Sequence, residues 1–267
     1  MPKLQVNGVQ LHYEEYGSGD ETIVFSHGYL MSHKMFAAQI DALKDRYRII
    51  AYDHRGHGES EVYKGDYGMY DLMEDGAALI DALVGGPVHF MGMSTGGYVG
   101  VRLMVRRPDL LKSAVLMDTS AESEDPSALR QYNLMLTAVR FLGVRSVYSK
   151  AIVMLMGEKF RTDPSRKAEY QTWERYIKGL NKTAIYKFGK AIFGRDSVHE
   201  HMSTITIPTL MIVGEEDIPT PPEKARRLAN TIPNAQLVTI PNAGHTAPTE
   251  EPAAVTAAIE NFLANLN

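Results

Sequence analysis

The chain has 267 residues, with 28 Lys and Arg against 32 Asp and Glu, a net charge of −4, and no cysteine. At 44% hydrophobic and 22% charged it has the make-up of a globular protein, which excludes disordered and fibrous classes. Without cysteine there is no disulfide, thiolate-metal or cysteine-nucleophile chemistry, and the slightly acidic balance offers nucleic acid and acidic membranes no general attraction.

The first residues, Met1 to Gln5, lack the apolar core of a signal peptide, and no run approaches the roughly 18 apolar residues of a membrane span. The expectation is a cytoplasmic protein that acts on a small molecule, with neither nucleic acid nor membrane as partner.

Residues 3–6 and 9–16 alternate around Asn7-Gly8, a pair that tolerates the two positive φ angles of a type I′ turn, and predict a β-hairpin. Short apolar β-type runs follow at 22–25, 47–52, 88–91, 114–117, 209–213 and 236–240, the pattern of strands buried on both faces. Helical periodicity occupies 35–43, 71–84, 96–107, 222–231 and 252–266; in the last, Val255, Ile259, Phe262 and Leu266 share one stripe. This alternation predicts an α/β fold: an eight-stranded, mostly parallel sheet with helices on both faces and the hairpin as an antiparallel edge.

From 120 to 204 the pattern is helical without a buried strand run, so a helical cap inserted between strands 6 and 7 is expected. The core is then 1–119 plus 205–267. The insertion carries 14 Lys and Arg against 9 Asp and Glu, net +5, leaving −9 on the core; solvated helix faces explain this better than an anion-attracting lid. Its larger apolar residues are Leu134, Met135, Leu136, Phe141, Met154, Leu155, Met156, Phe160 and Trp173. Most are expected in the core of the helical layer, with adaptable methionines also suited to a broad apolar acyl pocket.

The informative segment is Gly92-Met93-Ser94-Thr95-Gly96-Gly97, a Gly-x-Ser-x-Gly that follows a strand run and opens a helix. In that context the serine sits on a sharp turn with its hydroxyl above the sheet, and side chains at 92 and 96 would obstruct the approach of strand and helix. A serine hydroxyl needs a base within reach and a third group to orient that base. Among nine histidines, His245 stands out, because Pro241-Asn242-Ala243-Gly244-His245-Thr246 is a turn-rich loop between a strand and the last helix. For the acid, Gly214-Glu215-Glu216-Asp217 follows the strand run at 209–213. The order Ser94, Asp217, His245 is that of α/β hydrolases. Asp118 and Glu216 are the rival acids. Backbone N–H groups of Thr95 and Tyr29 are the expected oxyanion donors; the Tyr29 ring is either pocket wall or packing.

Together, Ser26-His27-Gly28-Tyr29, the stretch from Asp53 to Ser60, the elbow, Gly214-Glu215-Glu216-Asp217 and Gly244-His245 resemble an α/β hydrolase of the capped, bacterial type. The resemblance implies Ser94 as nucleophile, Asp217 as acid, His245 as base, Tyr29 and Thr95 as oxyanion donors, and Gly92 and Gly96 as elbow glycines. It implies no cofactor and no metal. It also gives the Asp-x-Arg-Gly-x-Gly-x-Ser loop at 53–60 a structural part. Within the family the sequence is most similar to esterases and to enol-lactonase-like or perhydrolase-like members. A serine nucleophile argues against haloalkane dehalogenases and epoxide hydrolases, which use aspartate.

The implied function is cleavage of carboxylic esters or lactones through an acyl-enzyme on Ser94. Perhydrolysis, acyl transfer and C–C hydrolysis use the same machinery, and a ligand receptor with little turnover is the alternative of another class. Metal catalysis through Asp53, His54 and His57 is set aside because Gly56 and Gly58 suit a tight turn better than a metal cage, and through His199 and His201 because no partner motif completes the three or four ligands such a site needs.

Overall fold

The Asn7-Gly8 turn takes φ angles of 45° and 75° and folds β1 (Lys3–Val6) onto β2 (Val9–Tyr16) as the predicted antiparallel hairpin. In the computed structural model, which describes residues 2–266, the chain continues through β3 (Thr22–Ser26), α1 (Ala37–Leu43), β4 (Arg48–Tyr52) and α2 (Met69–Leu83). Met1 and Asn267, the outer ends of the expected core segments, lie outside the described residues. Next come β5 (Val88–Met93), α3 (Thr95–Arg106) and β6 (Leu111–Met117). Each strand lies within three residues of its predicted run. The helix predicted from 35 begins as a 3-10 turn, His33–Phe36, a common way for a helix to start.

Between β6 and β7 (Thr209–Gly214) lie α4 (Pro126–Leu142), α5 (Tyr148–Leu155), α6 (Glu158–Thr162), α7 (Lys167–Gly179) and α8 (Lys182–Phe193), with no strand. The chain closes with α9 (Pro222–Thr231), β8 (Gln236–Ile240), the short α10 (Ala247–Glu250) and α11 (Pro252–Ala264). Among the described residues no helix is long and apolar enough to cross a membrane.

The eight strands form one sheet in the order β1-β2-β4-β3-β5-β6-β7-β8, antiparallel at β1-β2 and β2-β4 and parallel thereafter. Side chains from β5 alternate between its two faces. Phe90 belongs to the same buried cluster as Val99 of α3 and Leu228 of α9, while Met91 belongs to the other, with Leu43 of α1 and Ile259 of α11. After β3 the chain steps to one side, to β4, and later returns on the other side as β5. Loops leaving the carboxyl ends of β3 and β5 therefore diverge, and the crevice between them is where open α/β sheets bind ligands.

The helical segment packs across that carboxyl edge. Tyr29 after β3 donates its hydroxyl to the Ile185 carbonyl of α8 at 2.8 Å, and Arg166 donates to the carbonyls of Thr249 and Glu250 at 2.8 and 2.9 Å. Leu136, Leu155, Met156, Phe160 and Trp173 are buried as expected, but Leu134 and Phe141 are each 67% exposed. The reason is helical phase. Tyr132, Leu136 and Val139 form the inward stripe of α4, and positions two residues beyond a stripe member face outward.

Candidate active site

β5 enters α3 through Ser94 at φ 50° and ψ −107°, a strained conformation for a residue with a Cβ. The neighbours enforce it. The Ser94 N–H donates to the Met117 carbonyl at 2.8 Å, and Thr119 Oγ1 donates to the Ser94 carbonyl at 2.9 Å. A Cβ on Gly92 would come within 2.2 Å of the Gly96 carbonyl oxygen, and one on Gly96 within 1.9 Å of that of Ser26. Only glycine lets strand, turn and helix approach this closely, which is the reason given for both positions from sequence.

His245, in the loop between β8 and α10, directs Nε2 at Ser94 Oγ across 2.9 Å. Its Nδ1 faces both oxygens of Asp217, at 2.9 and 3.0 Å. The three side chains are nearly enclosed, with Ser94 6%, Asp217 4% and His245 4% exposed. A carboxylate that accepts Nδ1–H leaves the Nε2 lone pair directed at the hydroxyl, the geometry in which an imidazole withdraws a serine proton. The structure thus brings Ser94, His245 and Asp217 together.

Thr220, which the sequence reading missed, fixes the acid: its N–H donates to Asp217 Oδ1 at 2.9 Å and its hydroxyl to Oδ2 at 2.8 Å. The available signal was Asp followed three residues on by Thr, a local turn pattern. The rival acids are turned elsewhere. Asp118 is fully buried and accepts the N–H of Gly214 at 2.8 Å and of Ala247 at 3.1 Å. Burial, then the neighbouring Asp217, pushes its carboxyl far above the usual range. Glu216 is exposed and faces the Glu158 N–H at 3.3 Å.

Gly28 lies against the elbow, since a Cβ there would sit 3.2 Å from the Ser94 Cβ and 2.4 Å from Met93 Sδ. The loop that carries Tyr29 thus passes beside Ser94. Neither the Tyr29 nor the Thr95 N–H donates to a protein acceptor among the described residues. The Tyr29 ring stacks on Phe188 with centroids 5.8 Å apart, and it also forms pocket wall. Ser94 and His245 open into a cavity of about 80 Å³ with Tyr98, Glu124, Tyr132 and Met154 in its lining. An adjoining apolar recess of about 40 Å³ shares Tyr29, Tyr132, Met135 and Ala151 and ends at Val139, Val144 and Ile185. Glu124 pairs with the buried Arg195 at 3.0 Å, so its charge is matched. A wider cleft of about 630 Å³ between Tyr67 and Lys187 contains none of Ser94, His245 or Asp217 and offers no nucleophile–base pair.

The 53–60 loop is a folded network. Arg55 makes a two-pronged, buried pair with Asp75, both bonds 2.7 Å. A Cβ on Gly58, at φ 50°, would meet Asp53 Oδ2 at 2.0 Å. His54 Nε2 lies 3.1 Å from Ser26 Oγ, and His57 Nε2 accepts the Leu30 N–H at 3.3 Å, so neither turns to Asp53. Burial pushes the His27 imidazole down to about 4 and that of His57 to about 3, which keeps both neutral. His199 faces Thr231 instead, at 3.2 Å, and His201 is exposed.

A crevice at the switch point of a parallel sheet, with a serine, an imidazole and a carboxylate aligned in it, defines the α/β-hydrolase class. A family model described as alpha/beta hydrolase fold matches residues 21–252, and the chain belongs to that family. Over 258 residues it is 28% identical to "Putative carbamate hydrolase RutD" of Caulobacter sp. (strain K31), covering 95% of each chain. Its fold superposes on a thermophilic esterase from Thermogutta terrifontis with a TM-score of 0.91 and 30% identity, covering 100% of this chain and 99% of that one. The enol-lactonase from Burkholderia xenovorans LB400 gives 0.92 and 27%, covering 99% and 100%. The chain is therefore a member of a hydrolase family.

Proposed function

We propose that the protein is a serine hydrolase of carboxylic esters or lactones, with Ser94 as nucleophile, His245 as general base and acid, and Asp217 as the orienting carboxylate. The observation that carries this reading is the unbroken chain from Ser94 Oγ to His245 Nε2 at 2.9 Å and from His245 Nδ1 to Asp217 at 2.9 Å. As Ser94 Oγ attacks the carbonyl carbon, His245 takes its proton and Asp217 stabilises the imidazolium. The oxyanion is held by the unpartnered N–H groups of Tyr29 and Thr95, the latter at the positive end of α3. Each donor is worth on the order of 3 kcal/mol to the transition state. His245 then returns the proton to the leaving alcohol, and water activated by the same nitrogen releases the acid.

Residues 120–204 act in this reading as a cap over the site. The acyl group occupies the recess ending at Val139, Val144 and Ile185, an apolar space that suits a hydrocarbon chain. A free volume of about 80 Å³ beside Ser94 admits only a small group without movement of the cap. The Caulobacter relative's name adds carbamates to the substrates worth testing.

The test is a panel of p-nitrophenyl esters, lactones, thioesters and carbamates, with and without peroxide. Steady turnover of esters or lactones in water is expected. A single stoichiometric burst would point to a receptor, and product only with peroxide to a perhydrolase.

A further inference from the structure

β2 carries His12, Glu14 and Tyr16 at alternate positions, so their side chains leave one face of the strand. His33, in the turn before α1, comes to the same face through Asp53 at the end of β4. The Asp53 carboxylate accepts from His12 Nδ1 at 3.0 Å through Oδ2 and from His33 Nδ1 at 2.9 Å through Oδ1. The main-chain N–H groups of His33 and Glu59 complete its set, at 2.9 and 3.1 Å. An ionised carboxylate only accepts, so each imidazole directs its Nδ1–H at Asp53 and turns Nε2 away from it.

Both Nε2 atoms are buried without a protein partner, on side chains 0% and 2% exposed. Each faces Glu14 Oε1, at 3.9 Å from His12 and 3.6 Å from His33. The other Glu14 oxygen accepts the Tyr16 hydroxyl. Two buried imidazole nitrogens without a hydrogen-bond partner thus face the same carboxylate oxygen, an arrangement that a proton or a cation would satisfy. A shared proton would draw one pair to about 2.7–2.9 Å, well inside both gaps. A tetrahedral ion with nitrogen and oxygen ligands at about 2.0–2.2 Å sets them roughly 3.4 Å apart, close to both.

We propose that His12, His33 and Glu14 bind one divalent transition-metal ion of the zinc type, with Asp53 and Tyr16 orienting the ligands. The ligand set of two imidazoles and a carboxylate suits such an ion. The orienting hydrogen bonds are those by which proteins fix metal-binding histidines. Glu14, Tyr16 and His33 line an open cleft, which gives a fourth coordination position access to water. The ion pins β2 to the turn before α1 and so braces the antiparallel side of the sheet.

The test is titration of the chelator-treated full-length protein with Zn²⁺ by calorimetry and with Co²⁺ by visible absorption. One equivalent, absorption bands of a tetrahedral Co²⁺ site and a raised thermal midpoint are expected. Glu14→Ala should weaken binding at least tenfold and His33→Gln should abolish it, while His245→Ala leaves it unchanged. Should His33→Gln fail to fold, Glu14→Ala decides alone, because that side chain is 28% exposed and its loss is tolerable. Absence of stoichiometric binding, binding unchanged in Glu14→Ala, or binding lost in His245→Ala would overturn the proposal.

Discussion

Glu250 accepts the main-chain N–H of Gly157 at 2.8 Å, joining the histidine loop to the helical segment. The same oxygen accepts the Gly244 N–H at 2.8 Å, while Oε1 takes the Thr246 N–H at 2.9 Å and hydroxyl at 2.8 Å. One buried carboxylate thus fixes the backbone on both sides of His245. In Glu250→Gln an amide NH₂ replaces an acceptor and opposes an N–H donor. The expected loss is about 1–3 kcal/mol in urea unfolding, with kcat falling more than KM rises. An unchanged unfolding midpoint would count against this role.

Asp118 and Asp217 lie close enough to influence one another, yet only Asp217 touches His245. Asp217→Asn is expected to reduce kcat by about 10⁴-fold, because the imidazole loses its tautomer and its counter-charge. Asp118→Asn disturbs only the Gly214 and Ala247 N–H groups. It should cost about 1–3 kcal/mol of stability, with a much smaller fall in kcat. Steady-state kinetics on both variants checks the assignment; a larger loss from Asp118→Asn would reverse it.

The buried, neutral histidines make stability depend on pH. In the folded state His57 resists protonation until about 3, whereas the unfolded chain takes up the proton near the ordinary 6.5. The unfolded state therefore binds more protons between these values. Stability is full above the upper value and falls with decreasing pH by about 1.4 kcal/mol per unit for each such group. Asp118 and Glu250, whose pKa values are raised by burial, act in the opposite sense, so a variant isolates the histidine. His57→Gln should flatten the dependence of unfolding free energy on pH between about 6 and 4 by about 1.4 kcal/mol per unit. Parallel slopes would refute it.

Ala151 is 5% exposed and lines both the cavity beside Ser94 and the apolar recess. Ala151→Leu fills the passage between them. Hydrolysis of hexanoyl and longer p-nitrophenyl esters should fall at least tenfold relative to acetyl, a difference of about 1.4 kcal/mol in transition-state free energy. A uniform change across chain lengths would place the acyl group elsewhere.

The eight strands and the helices of the core were legible because each carries its own period and its own turn residues. Ser94 was legible because two glycines and a strand-to-helix transition surround it; Asp217 and His245 followed from loops at the sheet's carboxyl edge. Glu250 escaped notice because its partners include Gly157, distant in sequence, and a Cβ on Gly244 would come within 2.4 Å of the Gly157 nitrogen. Such a backbone approach leaves only a glycine as its trace. His12 and His33 leave no trace of their contact with Asp53 in the sequence, where only His54 and His57 stand near it, because that proximity is set by strand pairing and not by spacing. Leu134 and Phe141 belong to an apolar set of which most members are expected inside, and they face outward because the phase of α4 is set by what it packs against.

The most direct measurement is intact-mass spectrometry of the wild-type protein and of Ser94→Ala after treatment with a fluorophosphonate. A single adduct on the wild type, mapped to Ser94 and absent from a Ser94→Ala protein with unchanged thermal midpoint, is the predicted result. An adduct that persists in Ser94→Ala, or a wild type that stays unlabelled while hydrolysing esters, would contradict the account.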